Sequence, residues 1–332
     1  MRAARIGLAI VLAVTATFSF TVADTVSKYL AGHGTPVLQI ALARYAVPLG
    51  ALVLLYVPQR GLRLLRTAHP WTQLARGLLL TSATICMILA MRAMPIAEAQ
   101  AISFVHPLLL TVLAALVLGE RVRPLTWVAV ATGFAGLLLI VRPGGGFDRP
   151  AALLPLAMAL SYSTYQMLTR RLADRDSPLG SLFYVMLVGT AACAVAQPLV
   201  WRSPDAQVWA LLALAGAGAG LGHLCMIRAL GLAPASRLAP FAYVQMVWVV
   251  AFGVLVFGNL PDRLTLLGIA VVVGGGLLAT LSRRRAHSTE GNDTRRRAAP
   301  PSCPQEAKTE STTANRGDAV ARSACCGCAA EG

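Results

Sequence analysis

Thr17, Thr21, Asp24 and Lys28 stand at i, i+4, i+7 and i+11 of a run that is otherwise almost wholly apolar. On a helix that spacing puts all four on one face. A carboxylate in lipid costs several kcal/mol, so the face must turn toward a bundle interior or a wet cavity. Asp24 there either pairs with Lys28 one turn away or takes a direct part in moving a polar cargo. Tyr162, Gln166 and Thr169 form a second stripe, with Ser161 and Tyr165 alongside. Rings beside amides suit a flat or zwitterionic metabolite, which stacks and hydrogen-bonds at once. Gln100, Ser103 and His106 follow at spacings of three, and Pro107 interrupts the helical ladder just beyond them. Interrupted helices at membrane depth mark binding sites in carriers. His106 either carries a proton near neutral pH or sits neutral against a neighbouring helix.

Gln245 has Tyr243 and Trp248 nearby in a later apolar run, and His223 follows a row of alternating glycines from Gly216 to Gly222. Arg44 also stands inside an apolar run, where it could neutralise Asp24 or an anionic group of a substrate. The expected substrate-binding set is therefore Asp24, Lys28, Arg44, Gln100, His106, Tyr162, Tyr165, Gln166, His223, Tyr243, Gln245 and Trp248. The glycines read as packing positions, since small residues four apart let helices approach closely. Arg92 and Arg228, at the ends of apolar runs, read as snorkelling to the surfaces.

No catalytic arrangement accompanies these residues. A zinc-protease HExxH, a GxxxxGK[ST] phosphate loop and a G-x-S-x-G elbow are all missing from the sequence. No enzyme activity, cofactor or metal is expected. Without an ATP site, uphill movement of a cargo must draw on an ion gradient or on exchange.

The polar residues hang on ten apolar segments, near 6–28, 37–57, 71–92, 96–118, 125–141, 151–169, 179–200, 208–228, 236–257 and 264–281. About 20 helical residues cross a hydrocarbon core about 30 Å thick. Hydrophobic residues make up 56% of the 332 and charged residues 13%, with a mean hydropathy of +0.65. That is too apolar for a water-facing globule, so the fold class expected is all-α and integral to the membrane. The net charge of +15 does not signal nucleic acid, because up to Leu281 the basic residues fall mainly in short loops, where they set topology. With the N-terminus inside, Arg2, Arg5, Arg60, Arg63, Arg66, Arg76, Arg121, Arg123, Arg170, Arg171, Arg175, Arg228 and Arg237 collect in the cytoplasm. Only Lys28, Arg92, Arg142, Arg149, Arg202 and Arg263 fall outside, so both termini are expected to be cytoplasmic. Arg2, Arg5 and Thr21-Val22-Ala23 imitate a signal peptide, but the run is long for one and has a partner later in the chain, so it is expected to remain as the first span.

That partner belongs to a repeat with an offset of about 136 to 142 residues. Lys28 and Pro36 stand eight apart, as do Arg170 and Pro178. Met91-Arg92-Ala93-Met94-Pro95-Ile96-Ala97 matches Ile227-Arg228-Ala229-Leu230-Gly231-Leu232-Ala233, Leu118-Gly119-Glu120 matches Phe257-Gly258-Asn259, and Gly136 matches Gly275. Gln166 then aligns with Asp24, and Gln245 with His106. Five spans per copy is an odd number, so the second copy inserts upside down, giving two inverted five-helix repeats. The expected domains are a first repeat at 1–142, a connector at 143–150 that holds Gly144-Gly145-Gly146, a second repeat at 151–282 and a disordered cytoplasmic tail at 283–332.

The run from Arg92 through Pro95, Ser103 and Pro107 to Leu118-Gly119-Glu120, with Gly133 and Gly136 after it, resembles the EamA domain of the drug/metabolite transporter superfamily. The resemblance covers both halves, from about 6 to 282. It implies a ten-helix basket around a central cavity, alternating access and the movement of small organic metabolites. The series Asp24, Lys28, Pro36, Gln39 and Arg44 resembles a subgroup whose proposed cargoes include S-adenosylmethionine and riboflavin. The second copy departs from the pattern at Asn259, in place of a frequent Glu, and at Met246, opposite Pro107.

The leading expectation is a gradient-driven carrier in the inner, cytoplasmic membrane. The alternative is a flippase for an amphiphilic or lipid-linked substrate on the same scaffold. Its partners are a small-molecule substrate and the lipid bilayer, with no nucleic acid; a homodimer stays open. Cys86, Cys193 and Cys225 lie in apolar spans and act as small hydrophobes. Cys303, Cys325, Cys326 and Cys328 fall in the tail without the spaced pairs of a zinc site.

Overall fold

Prolines and short polar caps set most of the element boundaries. Helices begin at Pro70, Pro124 and Pro178 or directly after Pro36, Pro95 and Pro234, where a missing N–H costs nothing because the first turn has no acceptor for it. Ser177 accepts the Gly180 N–H, Asp205 the Val208 N–H and Asp262 the Thr265 N–H, capping three further starts. A computed structural model describes residues 2–61, 67–118, 124–141, 149–172 and 176–277. Within them run α1 (Arg2–Gly32), α2 (Val37–Arg60), α3 (Pro70–Ala93), α4 (Ile96–Ser103), α5 (His106–Leu118), α6 (Pro124–Val141), α7 (Arg149–Leu172), α8 (Pro178–Val195), α9 (Gln197–Val200), α10 (Ala206–Leu232), α11 (Ala235–Ala242) and α12 (Val244–Phe257). A last helix, α13, covers Arg263–Leu277. No strand occurs among the described residues. The Gly119-Glu120 pair, most of the expected connector and the tail with its cysteines lie outside them.

Seven helical stretches are long and apolar enough to cross a membrane. They fall on α1, α2, α3, α4 with α5, α8, α10 and the stretch Pro240–Phe257. The other three expected segments are helical too: Val130–Val141 and Arg263–Leu277 are apolar but short, and α7 carries the Tyr162 and Gln166 stripe and ends on Arg170 and Arg171. Three segments read as continuous are broken. Phe104 and Val105 form a turn between α4 and α5, and Tyr243 one between α11 and α12. Pro198 starts α9 anew after Ala196. The breaks at 104–105 and 243 fall at aligned positions of the two copies, so the second is kept without a proline matching Pro107.

α1 packs along α10 and also touches α12; α7 packs along α3 and also touches α4 and α5. α2 lies on α10 as α8 lies on α3. A central apolar cluster that includes Ile40, Met91, Ile96, Ile102, Met186 and Val249 joins these helices. Large side chains also point outward, among them Leu54, Leu116, Val195 and Leu255, an apolar exterior that hydrocarbon covers. Glycine permits the closest crossings. A Cβ on Gly136 would lie 2.8 Å from the Val272 backbone nitrogen, and one on Gly268 would lie 2.9 Å from the Gly136 carbonyl, so α6 and α13 meet backbone to backbone.

Candidate substrate-binding cavity

The cavity is built where the two broken segments meet α1, α2, α3, α7, α8 and α10. It has an empty volume of about 900 Å³, counting the part open to the outside. Its lining includes Phe20 and Asp24 of α1, Arg44 and Tyr45 of α2, Thr84 and Met87 of α3, and Gln100 and Ser103 of α4. Phe104, His106, Met158, Tyr162, Met186, Ala219, His223 and Gln245 complete most of the wall.

Of the two partners open to Asp24, the structure has one. Its partner is Arg44, not Lys28: Arg44 Nη1 donates to Asp24 Oδ1 at 2.6 Å and to Ser27 Oγ at 3.1 Å. Lys28 turns away because carbonyls claim it. Its Nζ donates to Met91 O at 2.5 Å and Met94 O at 2.7 Å, at the end of α3, and lies 5.3 Å from the centre of the Phe257 ring. It ties α1 to α3 outside the cavity.

Rings form another part of the wall. His106 and Tyr162 meet edge to face with centroids 4.9 Å apart, Phe104 lies 5.9 Å from His106, and Tyr165 stacks behind Tyr162 at 5.7 Å. The turn that breaks α4 from α5 aims His106. Its Nδ1 lies 3.0 Å from Ser103 O, a group that only accepts, so Nδ1 carries the hydrogen. Ser163 Oγ of α7 lies 2.8 Å from His106 O at the break and 2.6 Å from Ala159 O of its own helix, with one hydrogen to share between them. Tyr45 Oη and Thr84 Oγ1 are 2.7 Å apart, and the Phe20 and His223 rings meet at 5.0 Å. Gln100 is 6% exposed, and its Oε1 has no hydrogen-bond partner among the described residues.

Asp24, Arg44, Gln100, His106, Tyr162, His223 and Gln245 thus come together as one wall. Tyr165, Gln166, Tyr243 and Trp248 do not line it: Tyr165 lies behind Tyr162, Tyr243 packs 5.5 Å from Phe104, and Trp248 packs edge-on to Phe18 at 5.4 Å. Sequence reasoning missed Tyr45 and Thr84, although two threonines within an apolar segment, Thr81 and Thr84, were a visible signal.

Two polar ties outside the cavity join the chain halves. In one, Gln73 Nε2 donates to Asp176 Oδ2 at 2.7 Å and Ser181 Oγ at 3.1 Å, and Thr67 Oγ1 donates to Asp176 Oδ2 at 2.6 Å. Arg76, only 2% exposed, donates to Gln73 Oε1 and Thr169 Oγ1 and lies over the Tyr165 ring. In the other, Gln39 Nε2 donates to Arg202 O, Gln197 Nε2 to Leu38 O and Arg202 Nη1 to Gly34 O. Burial pushes the Asp176 carboxyl up, but hydrogen bonds from Thr67, Gln73 and the Ala68 N–H outweigh it and hold the group below its ordinary value. A depressed folded-state value means the stabilisation is full above the unfolded value of about 3.9 and is lost as pH falls through the folded one. Asp176→Asn is therefore expected to melt below the wild type at pH 7 and to lose part of the wild type's acid-side decline. Melting curves from pH 7 to 3 check both.

Residues 7–142 and 149–281 each match the EamA-like transporter family. A riboflavin transporter of Vibrio cholerae is 31% identical over 78% of this chain and 88% of its own length. An S-adenosylmethionine uptake transporter of Rickettsia bellii is 27% identical over 80% of this chain and 90% of its own. For a pseudopaline exporter of Pseudomonas aeruginosa the figures are 28%, 80% and 93%. One solved crystal structure shares the fold, with a TM-score of 0.59 at 24% identity over 84% of this chain and 98% of that one. With both halves matched and seven membrane-length helices around a walled cavity, the chain belongs to the EamA-like transporter family and is a multi-pass membrane protein.

Proposed function

We propose that the chain is a secondary active transporter that carries a small organic metabolite across the cytoplasmic membrane by alternating access, driven by protons or by exchange. The observation that carries this reading is the cavity wall, which sets a buried ion pair and unpaired amide chemistry beside a cluster of aromatic rings. Such a wall suits a molecule with a flat ring and a polar end. S-adenosylmethionine and riboflavin, the compounds in two relatives' names, are both flat heteroaromatics with a polar chain.

The reading has ten spans in two inverted repeats, 1–142 and 151–282, with both termini cytoplasmic. The paired contacts support it: α1 on α10 has its counterpart in α7 on α3, and α2 on α10 in α8 on α3. The two polar ties are counterparts in the same sense. In this arrangement the Gln73–Asp176 tie closes the cytoplasmic end and the Gln39–Arg202 tie the outer end, and each must open for the cavity to face its side.

Purified protein in liposomes is expected to take up labelled S-adenosylmethionine or riboflavin saturably, faster under an imposed pH gradient or with unlabelled compound inside. Uptake of neither above protein-free liposomes would reject this substrate class. Tyr162→Ala removes a ring from the wall and is expected to weaken the half-saturating concentration about two- to tenfold, since aromatic contacts contribute about 0.5–1.5 kcal/mol beyond area. Gln166→Ala, off the wall, should leave it unchanged.

A further inference from the structure

The Asp24–Arg44 pair is held at one point. Only Nη1 of Arg44 reaches Asp24, through Oδ1, and that same atom also donates to Ser27. Arginine–carboxylate pairs commonly close two-pronged, with parallel bonds. Here the remaining guanidinium donors and Asp24 Oδ2 have no hydrogen-bond partner among the described residues. Both side chains line the cavity, at 13% and 9% exposure. The pair is thus closed enough to be neutral and open enough to accept two more charged groups.

Charge balance decides what those groups are. A lone anion on Arg44 would leave Asp24 and the anion sharing one cation, and a lone cation on Asp24 would leave the reverse; an unbalanced charge beside side chains only 13% and 9% exposed is unfavourable. A zwitterion avoids both. Its carboxylate takes the free edge of Arg44 and its ammonium takes Asp24 Oδ2, so one neutral pair becomes two. We infer that Asp24 and Arg44 form a receptor for the α-amino-acid end of the substrate, splitting to embrace it while the aromatic wall of His106, Tyr162 and Phe104 takes the flat part.

This inference rests on the cavity being the transport site, so its test separates the two. Full-length protein in nanodiscs is titrated with two ligand series. One is S-adenosylmethionine, its decarboxylated form, 5′-methylthioadenosine and riboflavin; the other is L-tryptophan, tryptamine and indole-3-propionate. In a series that binds, the zwitterion should exceed the members lacking either charge by at least about tenfold, the scale of a charged hydrogen bond. The double variant Asp24→Asn/Arg44→Gln, eluting as one monodisperse species, should lose that discrimination while still binding the flat compounds. If members lacking the carboxylate or the ammonium bind within about twofold of the zwitterion, or if riboflavin alone binds, the cavity reading stands and the amino-acid receptor falls. If none of the compounds binds, both fall.

Discussion

Arg44→Gln is expected to abolish transport and to lower the stability of the purified protein by about 3–5 kcal/mol, the cost of stranding one member of a buried ion pair. The carboxylate of Asp24 would remain inside the bundle with its 2.6 Å partner gone and with Lys28 already committed to the Met91 and Met94 carbonyls. The double variant Asp24→Asn/Arg44→Gln should recover most of the stability, because two neutral groups can hydrogen-bond where the pair stood, while transport stays lost. Thermal unfolding in a single detergent, together with liposome uptake, measures both. An Arg44→Gln protein that unfolds at the wild-type temperature would show that Asp24 finds another partner.

Gly216→Ala is the second change with a large expected effect. A Cβ there would stand 2.5 Å from the Ala43 carbonyl and 2.6 Å from Val47 Cβ. A backbone oxygen and a β-branched stem cannot swing aside, so α2 and α10 must part, at a cost of about 1–3 kcal/mol. Arg44 follows Ala43 on the same helix, so the displacement also pulls it off Asp24, and uptake should drop along with stability. Gly50 lies on α2 with nothing within 4 Å of its added Cβ, so Gly50→Ala should instead gain about 0.5–1 kcal/mol from the lower backbone entropy of the unfolded chain. Equal melting temperatures for the two variants would mean that the α2–α10 contact is looser than these distances.

The stripe on α1 was legible as a stripe, but only part of it reaches the cavity. Thr17 and Thr21 spend their hydroxyls on their own helix, bonding to Val14 O and Thr17 O, and Asp24 alone of the four original residues faces the cavity wall. Its partner was not legible because both Lys28 and Arg44 lay within reach of a local reading. The choice falls to the carbonyls at the end of α3, a contact more than sixty residues away. Arg76 reads as one of the cytoplasmic arginines, yet it is buried, donating to Gln73 on its own helix and to Thr169 of α7. Broken helices were half legible. Pro107 announces the first break, while the second, at Tyr243, has Met246 where that proline would align and Pro240 inside α11 just before it.

The place of Arg44 on the helix next to Asp24 bears on how the chain enters the membrane in the first place. The main partner of α1 is α10, which leaves the ribosome only after α2 to α9 have been made. Until then the acidic face of α1 has no bundle to enter, and a carboxylate within a span raises the insertion free energy, by up to about 2.5–3.5 kcal/mol at the helix centre. Arg44 follows only 20 residues behind Asp24, on the very next helix to emerge, so α1 and α2 can leave the translocon as a hairpin that carries its own counter-charge. The opposite charges are in place during synthesis, long before there is a cavity for them to line.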